Sequence, residues 1–569
     1  MTDILGALLD RTIVFVTRNW QLLVAITALV FVTRNHQGLR ARRWIRGLLQ
    51  VLRLPLPAAC LIAALVSVAV NLIVFAGRGE PLPELHDDYS HLLLADTLRH
   101  GRLANPPHPF APHFETMLAL QHPKYASHFP PGNGAALAAG WIVFRLPMAG
   151  LWVAGALAAM AFVWAARAWL PVSWSLIGGV LMACHPTILE WGTTYVSGNL
   201  AFLGGALLLG AAARLLRRPT AGLSAVAAVA IVLLAHTRPF EGLVFTIAMG
   251  IAFLVAAPRA IPRLVRTSVP ALCILAAGAA SVLVYNRAVT GDPLLLPHAL
   301  YDSRYVPASN FLWEAPRIAP AYPNAEIAGI FKTIYSSHDR LRREPGGQLR
   351  ALDRKRSSMV EWLFPEPAKG SWVGSAAKLL YVPLLFLPRL FRQRRHNRLL
   401  FLILLLFLFA PLSIAWWISS HYLAPAVAVV GLLYLLALRQ TFVSGRRFGG
   451  TVVLVLLAIA VWSSVEGVVS RLRHRQHRTE IQRRAIVAEL ERSPGKDLIL
   501  VPEGVNGCVF NGAGIDGSPV VWARQLDARS NAALRDYFRD RRVWTLAIAD
   551  GALRVRSESR VPPHPRPLP

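Results

Sequence analysis

The chain has 569 residues, of which 54% are hydrophobic and only 16% charged, and its mean hydropathy is +0.43. A soluble globular domain carries about 25% charged residues. The composition therefore excludes a disordered chain, a coiled coil and an ordinary soluble enzyme. It is typical of a protein that crosses a membrane several times.

The net charge of +29 comes almost entirely from arginine, since lysine occurs at only six positions. A nucleic-acid-binding protein would gather these cations on one soluble face. Here they form short clusters between apolar runs, for example at 40–46, 214–218, 392–395 and 446–447. Such clusters are typical of cytoplasmic loops. The charge therefore predicts an orientation in a lipid bilayer and no nucleic-acid partner.

Eleven apolar segments are candidates for crossing a bilayer, which takes roughly 20 residues of helix. They lie near 55–77, 149–170, 172–191, 198–215, 221–236, 240–257, 268–286, 377–391, 398–418, 421–438 and 448–468. The stretch 12–33 is interrupted by Arg18 and Asn19, and predicts either an extra span or a helix lying in the interface. The sequence thus predicts a mainly α-helical, polytopic membrane protein with about 11–12 spans.

Placing the arginine clusters in the cytoplasm puts two large loops, 78–148 and 287–376, on the outer side. Within the first loop, 133–146 is too short to span and predicts a juxtamembrane helix. The same count puts the region after residue 470 outside. The basic run RLRHRQHR at 471–478 argues against this, but a final segment weighs little in the positive-inside rule.

Four segments follow from this count. Residues 1–54 are an apolar and basic N-terminal segment, 55–470 the transmembrane domain, 471–560 a small α/β domain and 561–569 a disordered, proline-rich tail. In the third segment, helices are predicted near 478–492 and 528–539, and strands at 497–502, 520–523, 543–550 and 552–556. Helices alternating with short apolar strands predict a partly parallel sheet.

The first outer loop contains an acidic pair, Asp87 and Asp88, directly after a predicted span. Adjacent carboxylates at a membrane surface can bind a divalent cation or act as a general base. A neighbouring like charge raises one carboxyl pKa, which suits a base that works near neutral pH. A solvated acidic loop or a helix cap explains the pair equally well at this point.

Other polar residues gather on the same side. The first loop is rich in histidine without the spacing of a zinc site, and Lys124, His128 and Arg102 could meet a phosphate group. TRPFEG at 237–242 and HYLAP at 421–425 lie at the outer mouths of spans. Each could be an interfacial anchor, but together they predict a cleft. A transporter would place its ionisable groups near the middle of the membrane instead.

Several segments resemble the GT-C membrane glycosyltransferases, which include protein O-mannosyltransferases, lipid A aminoarabinose transferase and rhizobial lipopolysaccharide galacturonosyltransferases. The segments are HDDYSHLLLADTLRHGRL, KYASHFPPGNG, AHTRPFEG, YNRAVTGDPL and FNGAGIDGSPVVWAR, which together extend over most of residues 80–545. The acidic pair alone is a weak motif, and the ordered set is more specific.

The resemblance implies an inverting glycosyltransferase of a bacterial inner membrane, with its active site and C-terminal domain on the periplasmic side. Such enzymes move a sugar from a polyprenyl-phosphate donor to a cell-envelope acceptor. By resemblance, Asp87 activates the acceptor hydroxyl and Asp88 assists, or both hold a divalent cation such as Mg, Mn or Zn. The implied donor-phosphate residues are Lys124, His128, Arg238 and Arg304. The implied supporting residues are Tyr89, His86, Tyr125, Glu241, Asn199, His421 and Tyr422.

Two departures weaken parts of this interpretation. The related branch usually has Lys where this chain has His128, and a neutral imidazole binds phosphate less well. The second outer loop offers Asn199 where many members have an acid, which puts metal dependence in doubt. Two alternatives therefore stay open: a non-catalytic or transport protein on a similar fold, and an O-antigen ligase or polymerase that uses a diphosphate-linked donor. The arginines of loop 287–376 are compatible with the second alternative.

Overall fold

A computed structural model describes most of the chain. The described residues are 37–256, 261–307, 309–315, 317–318, 320–322, 324–365, 378–415, 418–445, 448–474, 478–549 and 552–558. The stretch 12–33 and the tail 561–569, for which the sequence made predictions, lie outside these residues.

The protein is mainly helical. Its helices, in chain order, are α1 (Gln37–Val51), α2 (Leu56–Arg78), α3 (His86–Arg99), α4 (Pro131–Phe144), α5 (Pro147–Ala166), α6 (Val172–Ala183), α7 (Pro186–Trp191), α8 (Gly198–Leu215), α9 (Ala221–Thr237), α10 (Pro239–Ala256), α11 (Ile261–Arg266), α12 (Val269–Thr290), α13 (Pro297–Tyr305), α14 (Ala325–Arg343), α15 (Gly347–Leu363), α16 (Leu387–Gln393), α17 (Arg395–Phe407), α18 (Phe409–Ser413), α19 (Val427–Ser444), α20 (Gly449–Arg473), α21 (Arg478–Leu490) and α22 (Ala528–Tyr537). The described residues also contain three 3₁₀ helices, Ala111–Phe114, Lys378–Phe386 and Ser420–Ala426, of which the last two precede α16 and α19. The strands are β1 (Ala119–Leu120), β2 (Ala126–Ser127), β3 (Lys496–Val501), β4 (Val520–Arg524), β5 (Arg541–Ala549) and β6 (Ala552–Ser557).

Among the described residues, eight helical segments are long and apolar enough to cross a membrane. They are α2, α5, α8, α10, α12, Arg395–Ser413, Ser420–Ser444 and α20. Each matches a predicted span. The chain is thus a multi-pass membrane protein, and the predicted fold class is confirmed.

Three predicted spans differ in detail. The segment 221–236 forms a shorter apolar helix, α9. The predicted span 172–191 divides into α6 and α7 at Pro186, because proline has no N–H and disfavours helix in the residue before it. The segment 377–391 consists of a 3₁₀ helix that contains Pro383, followed by α16. Arg395, just beyond α16, donates to the carbonyl of Val255 at the C-terminal end of α10.

The C-terminal region forms the predicted partly parallel sheet. The strand order is β4-β3-β5-β6, with β3 parallel to both of its neighbours and β6 antiparallel to β5. The side chains of Leu498 to Val501 in β3 are fully buried. A central strand covered on both faces requires such a continuous apolar run, which is why this strand was readable from the sequence.

The C-terminal region and the first outer loop share a core. Leu93, Phe114 and Tyr125 of the loop pack in one cluster with Leu498 and Val521 of the sheet. Polar contacts reinforce this packing. The backbone N–H of Ala513 donates to Asp96 Oδ2 at 2.7 Å, and the His113 ring lies 2.8 Å from the carbonyl of Arg524. The two regions therefore lie on the same side of the membrane.

Two glycines allow α4 to approach its neighbours. A Cβ built on Gly134 would lie 2.3 Å from Cγ of Leu94 on α3, and one on Gly132 would lie 2.6 Å from the carbonyl oxygen of His236 on α9. Any side chain at these positions would separate the helices. The PPGNG sequence thus brings together α3, the start of α4 and the outer end of α9.

Candidate functional site

Asp88 holds the start of α3. Its Oδ2 accepts hydrogen bonds from the backbone N–H groups of Glu84 at 2.9 Å and Leu85 at 3.1 Å, and its Oδ1 accepts one from Tyr195 at 3.3 Å. The residue is only 3% exposed. Burial raises the pKa of Asp88 to about 6, although these three N–H groups lower it. The second acid of the pair therefore serves as a helix cap that also fixes a neighbouring loop.

The loop after α7 is held from two directions at Tyr195. Asn133 Nδ2 donates to the Tyr195 carbonyl at 2.6 Å, while Asp88 accepts from the Tyr195 N–H. The Tyr195 hydroxyl in turn donates to the carbonyl of Pro81 at 2.8 Å. Sequence reasoning missed Tyr195, since it shows no charge and no motif. Its role depends on backbone groups that are invisible in the sequence.

Asp87 has a different environment from its neighbour. It lies in the first turn of α3, and among the described residues only its own backbone N–H bonds its carboxylate. Burial raises the pKa of Asp87, while its own backbone N–H, His86 and the positive charge of Arg238 lower it. A carboxylate that no other residue holds, with a raised pKa and a nearby cation, is suited to accept a proton.

Arg238 supplies the cation of the site. It lies between α9 and α10, and its Nη2 donates to Glu241 Oε1 at 2.5 Å. Its guanidinium carbon lies 4.1 Å from the centroid of the Tyr422 ring, and the His421 ring is 5.0 Å from that of Tyr422. Tyr422 is also an electrostatic neighbour of Asp87. The structure thus brings together the predicted residues of HDDY, TRPFEG and HYLAP.

Three histidines complete this cluster, of which only His128 was predicted as a site residue. The His91 ring stacks on Phe129 with centroids 4.0 Å apart, and the His128 ring meets Phe129 at 4.2 Å and Tyr301 at 5.0 Å. Electrostatic interactions link His128 to His91 and His298, and link His91 and His298 to Arg238. Burial lowers the pKa of His91 to about 3 and that of His128 well below its ordinary value.

A signal for His91 was present in the sequence. It lies four residues after Asp87 on one helix, so both fall on the same face. His298 had a weaker signal. It lies in the first turn of α13, shortly after the segment YNRAVTGDPL at 285–294. Only the folded chain brings it to His128.

Several predicted residues lie elsewhere. Lys124 and Arg304 are exposed near the β1–β2 hairpin, where Arg304 donates to the carbonyl of His122. Tyr125 donates to the carbonyl of Asn511 at 3.0 Å. Asn199 donates to the carbonyl of Leu151 at 3.3 Å, between α8 and α5. Arg304, Tyr125 and Asn199 thus bind backbone carbonyls outside the cluster around Arg238, and Lys124 is exposed.

Tyr89 and His86 face the C-terminal region. The Tyr89 ring stacks on Phe510 with centroids 3.4 Å apart, and the His86 ring lies 5.7 Å from the Phe510 ring. Burial lowers the pKa of His86, which leaves it a neutral neighbour of Asp87 near pH 7. The two residues connect the acidic helix start to the segment FNGAGIDG.

The residues fit a divalent cation poorly. In the part of the chain that the structure describes, no three His, Cys, Asp or Glu side chains converge as a metal site. Both oxygens of Asp88 already accept backbone hydrogen bonds. Asp87 alone of the predicted pair keeps a free carboxylate, and one carboxylate is a weak donor set for Mg, Mn or Zn.

The sequence matches no family model and no curated protein. Solved structures do resemble the fold. ArnT from Cupriavidus metallidurans bound to undecaprenyl phosphate has a TM-score of 0.53 at 12% identity, with 88% of this chain and 98% of that chain covered. The apo form of the same protein has a TM-score of 0.50 at 12% identity, with 85% and 92% covered.

An oligosaccharyltransferase from Archaeoglobus fulgidus, in complex with Zn and sulfate, has a TM-score of 0.49 at 15% identity. It covers 78% of this chain, and this chain spans about 60% of its length. At these identities the comparisons describe the fold. The chain has the fold of the ArnT structures, so the fold that the sequence resemblance implied is confirmed.

Proposed function

We propose that this protein is a membrane glycosyltransferase that transfers a sugar, with inversion, from a polyprenyl-phosphate donor to a cell-envelope acceptor. The observation that carries the proposal is the buried Arg238 beside the free carboxylate of Asp87, at the outer ends of the helices of a GT-C fold. The ArnT structure with a similar fold contains undecaprenyl phosphate. A lipid-linked donor explains why a phosphate-binding cation lies where the bundle meets the membrane surface.

Asp87 is the proposed base. It takes the proton of the acceptor hydroxyl as the acceptor oxygen attacks the anomeric carbon of the sugar. Attack from the side opposite the phosphate inverts the anomeric configuration. Asp88 and Tyr195 act as positioning residues, since they fix the helix start that carries Asp87. This positioning keeps the carboxylate close to the reacting oxygen.

Arg238 is the proposed phosphate residue. When the bond between the anomeric carbon and the phosphate oxygen breaks, negative charge builds on the phosphate. A fixed guanidinium stabilises that charge without reorganising, because Glu241 and Tyr422 already hold it in place. The ionisable residues of the cluster lie at helix ends, as expected for an enzyme acting at the membrane surface rather than for a transporter with a midplane site.

We further propose that the site and the C-terminal region face the periplasm of a bacterial inner membrane. The support is their shared core, which requires one side for both, and the arginine clusters at the opposite helix ends. Residues 471–560 are proposed as a separate α/β domain on that side, and residues 55–470 as the transmembrane domain.

The proposal is tested by transfer from purified polyprenyl-phosphate sugars to envelope extracts, with products detected by mass spectrometry. The Asp87→Asn variant should lower the rate about 10² to 10⁴-fold, because an amide accepts no proton. Asp353→Asn is the matched control, since that exposed carboxylate on α15 pairs with Arg356, three residues along the same helix. Equal turnover by wild type and Asp87→Asn would remove Asp87 as the base. Transport of the sugar lipid without transfer would favour the transport alternative.

A further inference from the structure

Buried nitrogen atoms without partners concentrate at one place in the site. His91 is only 5% exposed, and its Nδ1 has no hydrogen-bond partner among the described residues. Both ring nitrogens of His128 and the Nε of Arg238 are likewise buried without a hydrogen-bond partner in the described part of the chain. Buried polar atoms are almost always paired in folded proteins, so a group of unpaired ones points to a ligand that completes them.

The aromatic neighbours keep these rings in place. Phe129 lies between His91 and His128, and its carbonyl accepts a hydrogen bond from Tyr285 at 2.9 Å. Tyr301 closes the other side of His128, and its hydroxyl accepts from the N–H of Leu118 at 2.9 Å. The contacts with Phe129 and Tyr301 thus fix the positions of the His91 and His128 rings, which carry three of the unpaired nitrogens.

The charged groups around the pocket come from four elements. Arg238 and Glu241 belong to the α9–α10 junction, Asp87 to α3, Asp302 to α13, and His421 and Tyr422 to the 3₁₀ helix before α19. Glu241 pairs with Arg238, and Asp302 Oδ2 accepts from Asn310 Nδ2 at 2.6 Å. Burial lowers the pKa of His91, His128 and His298 and raises that of Asp302. The three imidazoles are therefore neutral near pH 7 until an anion enters.

We propose that His91, His128 and His298 form with Arg238 a phosphate pocket that gains one proton when it holds the free polyprenyl phosphate. This inference rests on the proposed function. His91 and His298 have no part in the mechanism described above, so the pocket adds two residues to the site.

The proton balance follows from the chemistry of transfer. The acceptor O–H bond breaks and its proton goes to Asp87. The acceptor oxygen bonds to the anomeric carbon, and the bond from that carbon to the phosphate oxygen breaks, with its electron pair left on the phosphate. The phosphodiester carried one negative charge and the released monoester carries two. Asp87 then passes this proton to the imidazoles and returns to its carboxylate form, so the proton on the imidazoles offsets the added charge of the phosphate.

The pocket distinguishes product from donor by charge. A doubly charged monoester raises the proton affinity of the imidazoles, whereas the singly charged donor does so less. Loss of that proton to solvent then weakens product binding and favours release. A permanent cation at position 128 would hold the product regardless of pH, so histidine at this position makes release depend on a proton.

The test uses the full-length protein in nanodiscs, with undecaprenyl phosphate as the probe. Calorimetric titrations at pH 8 in two buffers of different ionisation enthalpy measure the protons taken up per lipid bound. We expect uptake of about one proton, and an affinity that falls about tenfold per pH unit as the pH rises. At pH 8 the free monoester is mostly a dianion, since its second pKa is about 6.

Three variants separate the sources of the proton. His91→Asn and His128→Asn should lower the uptake, and His128→Lys should make the affinity independent of pH. His100→Asn, an exposed histidine at the far end of α3, should behave as wild type. Uptake that persists in both Asn variants would place the proton on the lipid and overturn the inference.

The two proposals fail in different ways. Binding of undecaprenyl phosphate without proton uptake overturns the imidazole pocket and leaves the proposed transfer reaction standing. An absence of binding to wild-type protein at any pH overturns the polyprenyl-phosphate donor itself.

Discussion

Arg238 and Glu241 form an ion pair of 2.5 Å in which the side chains are only 13% and 7% exposed. The pair fixes the cation of the site, since Tyr422 covers the guanidinium and Glu241 holds one of its nitrogens. A charge held in this way is ready for a phosphate. Because the pair is buried, the stability of the fold also depends on both Arg238 and Glu241.

The first prediction concerns this pair. A role in phosphate binding alone would mean that Arg238→Ala weakens donor use and leaves expression intact. The structure changes this expectation, because removal of one partner from a buried pair costs about 3–5 kcal/mol. We expect Arg238→Ala to lower the melting temperature strongly.

The double variant R238Q/E241Q should recover most of the stability and still lose donor use. Thermal unfolding and donor titration of the same samples measure both. Full donor use by the double variant would remove Arg238 from phosphate binding.

The second prediction separates the two acids. Asp88→Asn places an amide N–H₂ opposite backbone N–H groups that now donate to a carboxylate. At least one buried donor then lacks an acceptor, which costs about 1–3 kcal/mol. We expect a lower melting temperature for Asp88→Asn and an unchanged one for Asp87→Asn, measured side by side in detergent. The opposite order would mean that Asp87 is the structural acid.

Much of the fold was readable from the sequence, because membrane spans and buried strands are continuous apolar runs. All eight long apolar helices and the strands β3 to β6 coincide with predicted segments. The exceptions arise at prolines. Pro186 divides one predicted span, and Pro383 lies in the 3₁₀ part of another.

The site was only partly readable. Motifs indicated Asp87, Arg238, Glu241, His421 and Tyr422, which the fold brings together. The positive charge of Lys124 and Arg304 suggested a place in the site, but both side chains lie elsewhere. Whether an exposed basic side chain reaches the site depends on the fold. Asp87 and Asp88 differ because, among the residues that the structure describes, only Asp88 accepts hydrogen bonds from the backbone N–H groups of other residues. The sequence shows two identical adjacent residues and therefore cannot tell which of them is bonded in this way.

The third prediction concerns topology. Because Tyr125 of the first outer loop contacts Asn511 of the C-terminal region, reporters fused after Pro109 and after Ser470 should report the same side of the membrane, the periplasm. A reporter after Arg218, in the arginine cluster that follows α8, should report the cytoplasm and serves as the control. Opposite sides for the first two reporters would contradict the shared core.

The last prediction follows the pH dependence of transfer. As a base, Asp87 must be deprotonated, so kcat/KM for the acceptor should rise with pH through an acid limb. Burial raises the pKa of Asp87, which places that limb above the ordinary carboxyl value of about 4. The charge of Arg238 lowers the same pKa. The R238Q variant removes that charge and keeps Glu241, so its limb should move to higher pH, whatever its residual rate. Rates measured from pH 4.5 to 8 locate both midpoints. A limb that stays in place or moves to lower pH would mean that the titrating base is not Asp87, because loss of a neighbouring positive charge can only favour the protonated carboxyl.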